Sequence, residues 1–123
     1  LGVSGCGKTT LLKHCVGLLK PQQGSVRLFG EEISTLEDEP LYRLLQKTGV
    51  LFQNGALLNS LPLSENLAIP YQQHTQFPDS LIEHLVRSKL HLVDLEPFYD
   101  YLPSELSGGM RKRAALARAI ALD

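Results

Sequence analysis

The run Gly2-Val3-Ser4-Gly5-Cys6-Gly7-Lys8-Thr9-Thr10 constrains this chain more than any other stretch. It fits the pattern G-x-x-x-x-G-K-[ST], with Gly2, Gly7, Lys8 and Thr9 at the fixed positions. Glycines let the chain turn tightly, so that successive N–H groups converge on one anion. A helix that begins at the turn adds its unpaired first N–H groups and its positive dipole end. The next residues, LLKHCVGLL, predict such a helix, amphipathic and ending near Lys20-Pro21. In this arrangement Lys8 reaches the β- and γ-phosphates of a nucleotide, the Thr9 hydroxyl ligates Mg²⁺, and Gly5 supplies a third flexible position. The plain alternative is a glycine-rich turn ahead of any helix. The fixed positions, followed at once by a helix-forming run, argue against it.

Composition narrows the rest. The 123 residues suit one modest domain, and 43% are hydrophobic, enough to fill a core. A formal net charge of −1 gives no ground for a nucleic-acid partner. Cys6 lies in the glycine loop and Cys15 on the following helix, where a disulfide would distort the loop; both read as free thiols in a reducing compartment. No apolar run approaches the roughly 18 residues of a membrane span.

Along the chain, VRLF at 26–29 reads as a short strand closed by Gly30, and the acidic stretch 31–40 as a solvated loop or helix start ending in Pro40. Residues 41–48 predict a helix of one or two turns. The apolar run Val50-Leu51-Phe52 predicts a buried strand with Gln53 at its carboxyl end, where open α/β sheets bind ligands. Pro62, Pro70 and Pro78 divide the next stretch, with Ser64 as the expected N-cap of a short helix. Residues 79–95 predict a helix capped by Asp79 or Ser80, with Leu81, Leu85, Leu92 and Leu95 on its apolar stripe. His84 and His91 on it have no third ligand at metal spacing. In the last segment Ser107, or the backbone of Gly108-Gly109, caps a helix expected to run to the chain end. That start makes a second anion site. Arg111, Lys112, Arg113 and Arg118 read as a solvated or interface face. The mixed order of elements argues for an α/β fold with a helical insert.

Two phosphate cradles with a glutamine between them raise the question of why one monomer needs both. GVSGCGKTT resembles the Walker A loop of ATP-binding cassette (ABC) transporter subunits, LFQ at 51–53 their Q-loop, and LSGGM at 106–110 their signature LSGGQ, in the family's order. The resemblance implies a partial P-loop NTPase core at 1–53, from Walker A to Q-loop. It implies a helical subdomain with the signature at 54–110, and a signature helix returning to the core at 111–123. The cofactors it implies are ATP and Mg²⁺. Gly2, Ser4, Gly5, Cys6, Gly7, Lys8, Thr9, Thr10 and Gln53, with Ser107, Gly108 and Gly109, would bind nucleotide; Thr9 and Gln53 would hold the metal; Lys8, Gln53 and Ser107 would serve hydrolysis. In that family two subunits pair head to tail, so that Ser107, Gly108 and Gly109 would reach the γ-phosphate held by the Lys8 and Thr9 of a second ATPase subunit.

Within the family, LPSELSGGMRKRAALARAIALD and the stretch from LFQNGALL to HTQFP are similar to the ATPases of the bacterial phospholipid-trafficking (Mla) and toluene-tolerance (MCE-type) systems. That similarity implies an integral membrane permease, accessory MCE-type and small regulatory subunits, and a peripheral position on the cytoplasmic face of the inner membrane. Met110 departs from the usual signature glutamine. The family's strands before Walker A, its Walker B strand, catalytic glutamate and switch histidine have no counterpart in these residues, so the chain reads as an internal fragment, expected to fold poorly and hydrolyse little ATP alone. Two other readings stay open: a soluble ABC-type ATPase of another role, and a P-loop kinase, which would need no LSGG ahead of an alanine-rich helix.

Overall fold

The computed structural model describes residues 2–52 and 55–123 and divides into two compact units, Leu1–Thr48 and Gly49–Asp123.

In the first unit, helix α1 (Lys8–Cys15) leaves the glycine loop. It ends well before Lys20, because Gly17 takes the left-handed conformation (φ 73°) and donates its N–H to the His14 carbonyl at 3.1 Å. A left-handed residue just past a helix end turns the chain and satisfies the last carbonyls. The amphipathic expectation for this helix is not met within its unit: none of its residues is buried. Strands β1 (Arg27–Leu28) and β2 (Glu31–Glu32) form an antiparallel hairpin. Phe29 (φ 51°) and Gly30 (φ 86°) make its two-residue turn, in which two left-handed residues match the twist of the strands. The acidic stretch 31–40 is thus partly strand and partly helix, since α2 spans Asp38–Leu45. Pro40 lies in its first turn, where a missing N–H costs nothing, so it does not mark a boundary as expected. Ile33 and Leu44 are this unit's buried apolar residues.

The second unit is helical. Helices α3 (Leu63–His74), α4 (Asp79–His91) and α5 (Gly108–Ala119) pack on one another around Leu63, Leu67, Val86, Leu90, Leu95, Ala114 and Ala117. Burying each large aliphatic side chain here contributes about 1.5–3 kcal/mol. Several sequence expectations shift. The N-caps of α3 and α4 are Pro62 and Pro78, without side-chain cap bonds, not Ser64, Asp79 or Ser80. Pro70 sits inside α3 and does not end it. On α4 the buried stripe is Ile82, Val86 and Leu90, while Leu81 and Leu92 face solvent. Both phases suit a helical period, and packing against α3 and α5 selected one. Helix α5 stops at Ala119, a few residues before the chain end.

Residues 49–52 form no strand, and Leu51 and Phe52 are exposed, contrary to the expected buried strand. A parallel strand needs neighbours on its edges. Among the described residues the only sheet is the β1–β2 hairpin, which offers it none. Residues 111–119 belong to the same core as α3 and α4.

Candidate functional site

The glycine loop is open and exposed along its described length. Gly5 (φ 82°) and Gly7 (φ 87°) both take the left-handed region that side chains disfavour. Gly7 is the N-cap of α1 and contributes no side-chain bond, so it leaves the first N–H groups of the helix uncapped. The first intrahelical bond runs from the Leu11 N–H to the Gly7 carbonyl at 2.9 Å. Lys8 folds across the loop: its Nζ donates to the Gly2 and Val3 carbonyls, both at 2.6 Å, and lies 3.5 Å from Cys6 Sγ. A Cβ on Gly2 would come within 2.6 Å of that sulfur, so a larger residue there would displace the Cys6 side chain. Ser4, Thr9 and Thr10 are exposed on the same rim. Cys6 and Cys15 are free thiols.

This donor set of aligned N–H groups, an ammonium and hydroxyls fits a polyphosphate, and the Thr9 hydroxyl fits one coordination position of Mg²⁺. Among the described residues no cluster of three His, Cys, Asp or Glu could hold a metal by itself. Gln53, expected to join this site, lies outside the described residues.

Ser107, in the second unit, is the N-cap of α5, and its Oγ accepts from the Met110 N–H at 3.2 Å. The hydroxyl proton stays free to donate outward, beside the exposed Gly108 and Gly109. The preceding turn is fixed by Glu105, which accepts from the Leu102 N–H at 2.6 Å, and by Arg111, which donates to the Leu106 carbonyl at 2.7 Å. Met110 packs against the helical core. An apolar residue is therefore seated at this signature position.

The basic residues of α5 are not merely a solvated face. Arg111 holds the 103–106 turn. Arg113 donates to the Val93 carbonyl and lies 3.7 Å from Asp94. Arg118 donates to the Gly55 and Ala56 carbonyls. Burial lowers the Arg118 pKa from its ordinary value. Asn66, fully buried, was missed from sequence; its place one residue before Leu67 and three after Leu63, on the face those leucines share in a helix, was its only signal.

The phosphate loop and the solved structures the chain resembles place it in the P-loop NTPase class. A solved dimeric ATP-binding cassette, in a post-hydrolysis state with ADP and Pi, superposes with a TM-score of 0.87 at 31% identity, covering 98% of this chain and 53% of that one. The family profile described as ABC transporter matches residues 1–123, and the chain belongs to that family. It is 48% identical over its full length to the intermembrane phospholipid transport system ATP-binding protein MlaF of Haemophilus influenzae, covering 47% of that protein. It is 46% identical, again over its full length, to the probable ribonucleotide transport ATP-binding protein mkl of Mycobacterium leprae, covering 35% of it. The chain thus spans less than half the length of these curated relatives.

Proposed function

We propose that the protein containing this chain is the ATP-binding and ATP-hydrolysing subunit of an ABC transporter that powers phospholipid movement at the bacterial inner membrane. The observation that carries the reading is the loop at 2–10, whose left-handed glycines and Lys8 open directly into α1. In this reading Gly2, Ser4, Gly5, Cys6, Gly7, Lys8, Thr9 and Thr10 surround the phosphates. The Lys8 ammonium exchanges its loop carbonyls for phosphate oxygens, a stronger charge-assisted pairing. Mg²⁺, when bound, offsets phosphate charge, with Thr9 and Gln53 the residues that would hold it. Ser107, Gly108 and Gly109 meet the nucleotide of a second subunit in a head-to-tail dimer, each site then using both chains. Residues 1–53 belong to the nucleotide-binding core, 54–110 to the helical subdomain and 111–123 to the signature helix; the two compact units support a division in this region.

A membrane permease and accessory subunits complete the assembly. The subunit sits peripherally beside such a permease; among the described residues no helix is long and apolar enough to cross a membrane. Phospholipid is preferred as cargo on the relative at 48% identity; the mycobacterial relative, at 46%, favours a ribonucleotide as the second reading. Reconstitution of the full-length protein with its permease and either labelled cargo separates the two. Nucleotide binding is tested by titration of the full-length protein. Lys8→Ala removes a point charge facing two phosphates and is expected to weaken ATP at least about tenfold, roughly 1.4 kcal/mol. Unchanged affinity would overturn the assignment.

A further inference from the structure

The turn that leads into α5 is held from two sides by side chains of opposite charge. Glu105 Oε2 accepts from the Leu102 N–H at 2.6 Å. Arg111, on α5 itself, folds back: its Nη1 donates to the Leu106 carbonyl at 2.7 Å and lies 3.5 Å from the Pro103 carbonyl. Among the described residues Glu105 and Arg111 form no ion pair with each other; each binds backbone instead. Between them the turn closes its own bonds, from the Glu105 N–H to the Leu102 carbonyl at 3.0 Å and from the Leu106 N–H to the Pro103 carbonyl at 3.3 Å. Pro103 and Leu106 are buried, which anchors the turn in the helical unit.

Among the described residues the Leu106 carbonyl has Arg111 as its partner and no other. The peptide is planar and trans, so its carbonyl and the following N–H point in opposite directions. An arginine that fixes the Leu106 carbonyl therefore fixes where the Ser107 N–H points, away from the guanidinium. That N–H meets no acceptor among the described residues, and Ser107 is exposed. Helix stability gives no reason for a cation here. The N-terminus of α5 is the positive end of the helix dipole, its first turn holds no acidic residue, and a cation beside it is disfavoured. The same field favours an anion in front of the helix start. A charged donor on the carbonyl also polarises the peptide and strengthens its N–H as a donor.

We propose that Arg111 is a positioning residue for Ser107: by holding the Leu106 carbonyl it fixes the plane of the Leu106–Ser107 peptide, so that the serine presents its N–H and hydroxyl on the exposed side of the helix start. Glu105 holds the far end of the same turn and keeps Arg111 from pulling the peptide out of register. The inference deepens the function proposed above and rests on it for its kinetic consequence. The hold on the turn rests on contacts within the second unit alone. In the proposed pairing Ser107 meets the nucleotide of the second subunit, so the affinity of one chain for ATP is not the quantity Arg111 controls.

The test uses the full-length protein with Arg111→Met, which keeps much of the stem and removes the charge, and Arg111→Lys, which keeps the charge but loses the fork. Hydrogen exchange of the amides of residues 105–106 is expected to accelerate at least about tenfold in Arg111→Met, with α4 exchange unchanged. The ATP Kd is expected to stay within about twofold while kcat falls about tenfold, the cost of misplacing a group that meets the reacting phosphate. A double-mutant cycle shows what Arg111 acts through: in a Ser107→Ala background, Arg111→Met is expected to lower kcat by less than about threefold. Arg111→Lys is expected to restore part of each loss, and it carries the test if Arg111→Met does not fold. A merely structural arginine would speed exchange in α4 and the turn together and leave kcat per folded molecule unchanged. That result overturns the proposal, as do unaltered exchange at 105–106 and a cycle in which the two substitutions are fully additive. Wild-type protein that hydrolyses no ATP would instead refute the function proposed above, and the exchange measurement would still judge the hold on the turn.

Discussion

Replacing Asn66 by leucine isolates what a buried amide does for the helical unit. The residue is fully buried. Its Oδ1 accepts from the Leu58 N–H at 2.8 Å, and its Nδ2 donates to the carbonyls of Leu58 at 3.0 Å, Leu61 at 2.8 Å and Pro62 at 3.1 Å. Leucine removes all of these bonds, but the damage is uneven. The Leu58 carbonyl keeps the Leu61 N–H at 3.2 Å, and the Pro62 carbonyl keeps the Asn66 N–H at 3.0 Å. The Leu58 N–H and the Leu61 carbonyl are left without their protein partners. Each orphaned group costs about 1–3 kcal/mol, at the lower end where water reaches it, and Leu58 is partly exposed. Leucine returns some stability through added apolar burial. The balance is a loss of about 3 kcal/mol. Native-state hydrogen exchange of the buried α3 and α4 amides in the full-length protein, with urea as the perturbant, measures it. A loss below about 1 kcal/mol would show that the loop re-forms its bonds through water and that Asn66 does not organise it.

Ser107→Ala removes the cap bond to Met110, costing about 1 kcal/mol of helix stability; under the proposed head-to-tail pairing it is also expected to remove one charge-assisted bond to the nucleotide of the second subunit and to slow hydrolysis by the full-length protein about tenfold to a hundredfold, and steady-state turnover and thermal melting separate the two effects. Ser4→Cys with Ser107→Cys, in a background lacking Cys6 and Cys15, is expected to crosslink two chains when ATP is trapped; crosslinks confined to one chain would end the head-to-tail reading. Leu90→Ala is expected to cost about 2–5 kcal/mol and Leu92→Ala under about 0.5, since only the first is buried; denaturant midpoints compare them. Tyr71 buries a hydroxyl that has no hydrogen-bond partner among the described residues, and burial raises its pKa above the ordinary value. The folded state therefore favours the neutral phenol, so its contribution is intact below the unfolded pKa of about 10 and is lost as pH rises through the folded value. Tyr71→Phe is expected to be neutral or stabilising at pH 7 and to reduce the alkaline loss, read from melting curves across pH 8–11.

The glycine loop, the Ser107 cap and the existence of α4 and α5 were legible in the sequence because each rests on local physics. A left-handed glycine, a serine ahead of free N–H groups and a helical period act within a few residues of themselves. Family membership was legible for a related reason: residues 2–10 and 106–110 carry chemistry that demands particular side chains at particular spacings. What the sequence left open depends on partners distant along the chain. Residues 50–52 have a strand's composition, yet a strand exists only where a neighbour shares its hydrogen bonds. The α4 period allowed either Leu81 and Leu92 or Ile82 and Leu90 to face inward, and packing with α3 and α5 decided. Arg118 and Asn66 looked like ordinary surface and helix residues. Only the folded chain, which brings 55–58 beside 66 and 118, shows that one cation and one amide hold that loop, because satisfying buried polar groups is a property of the tertiary structure.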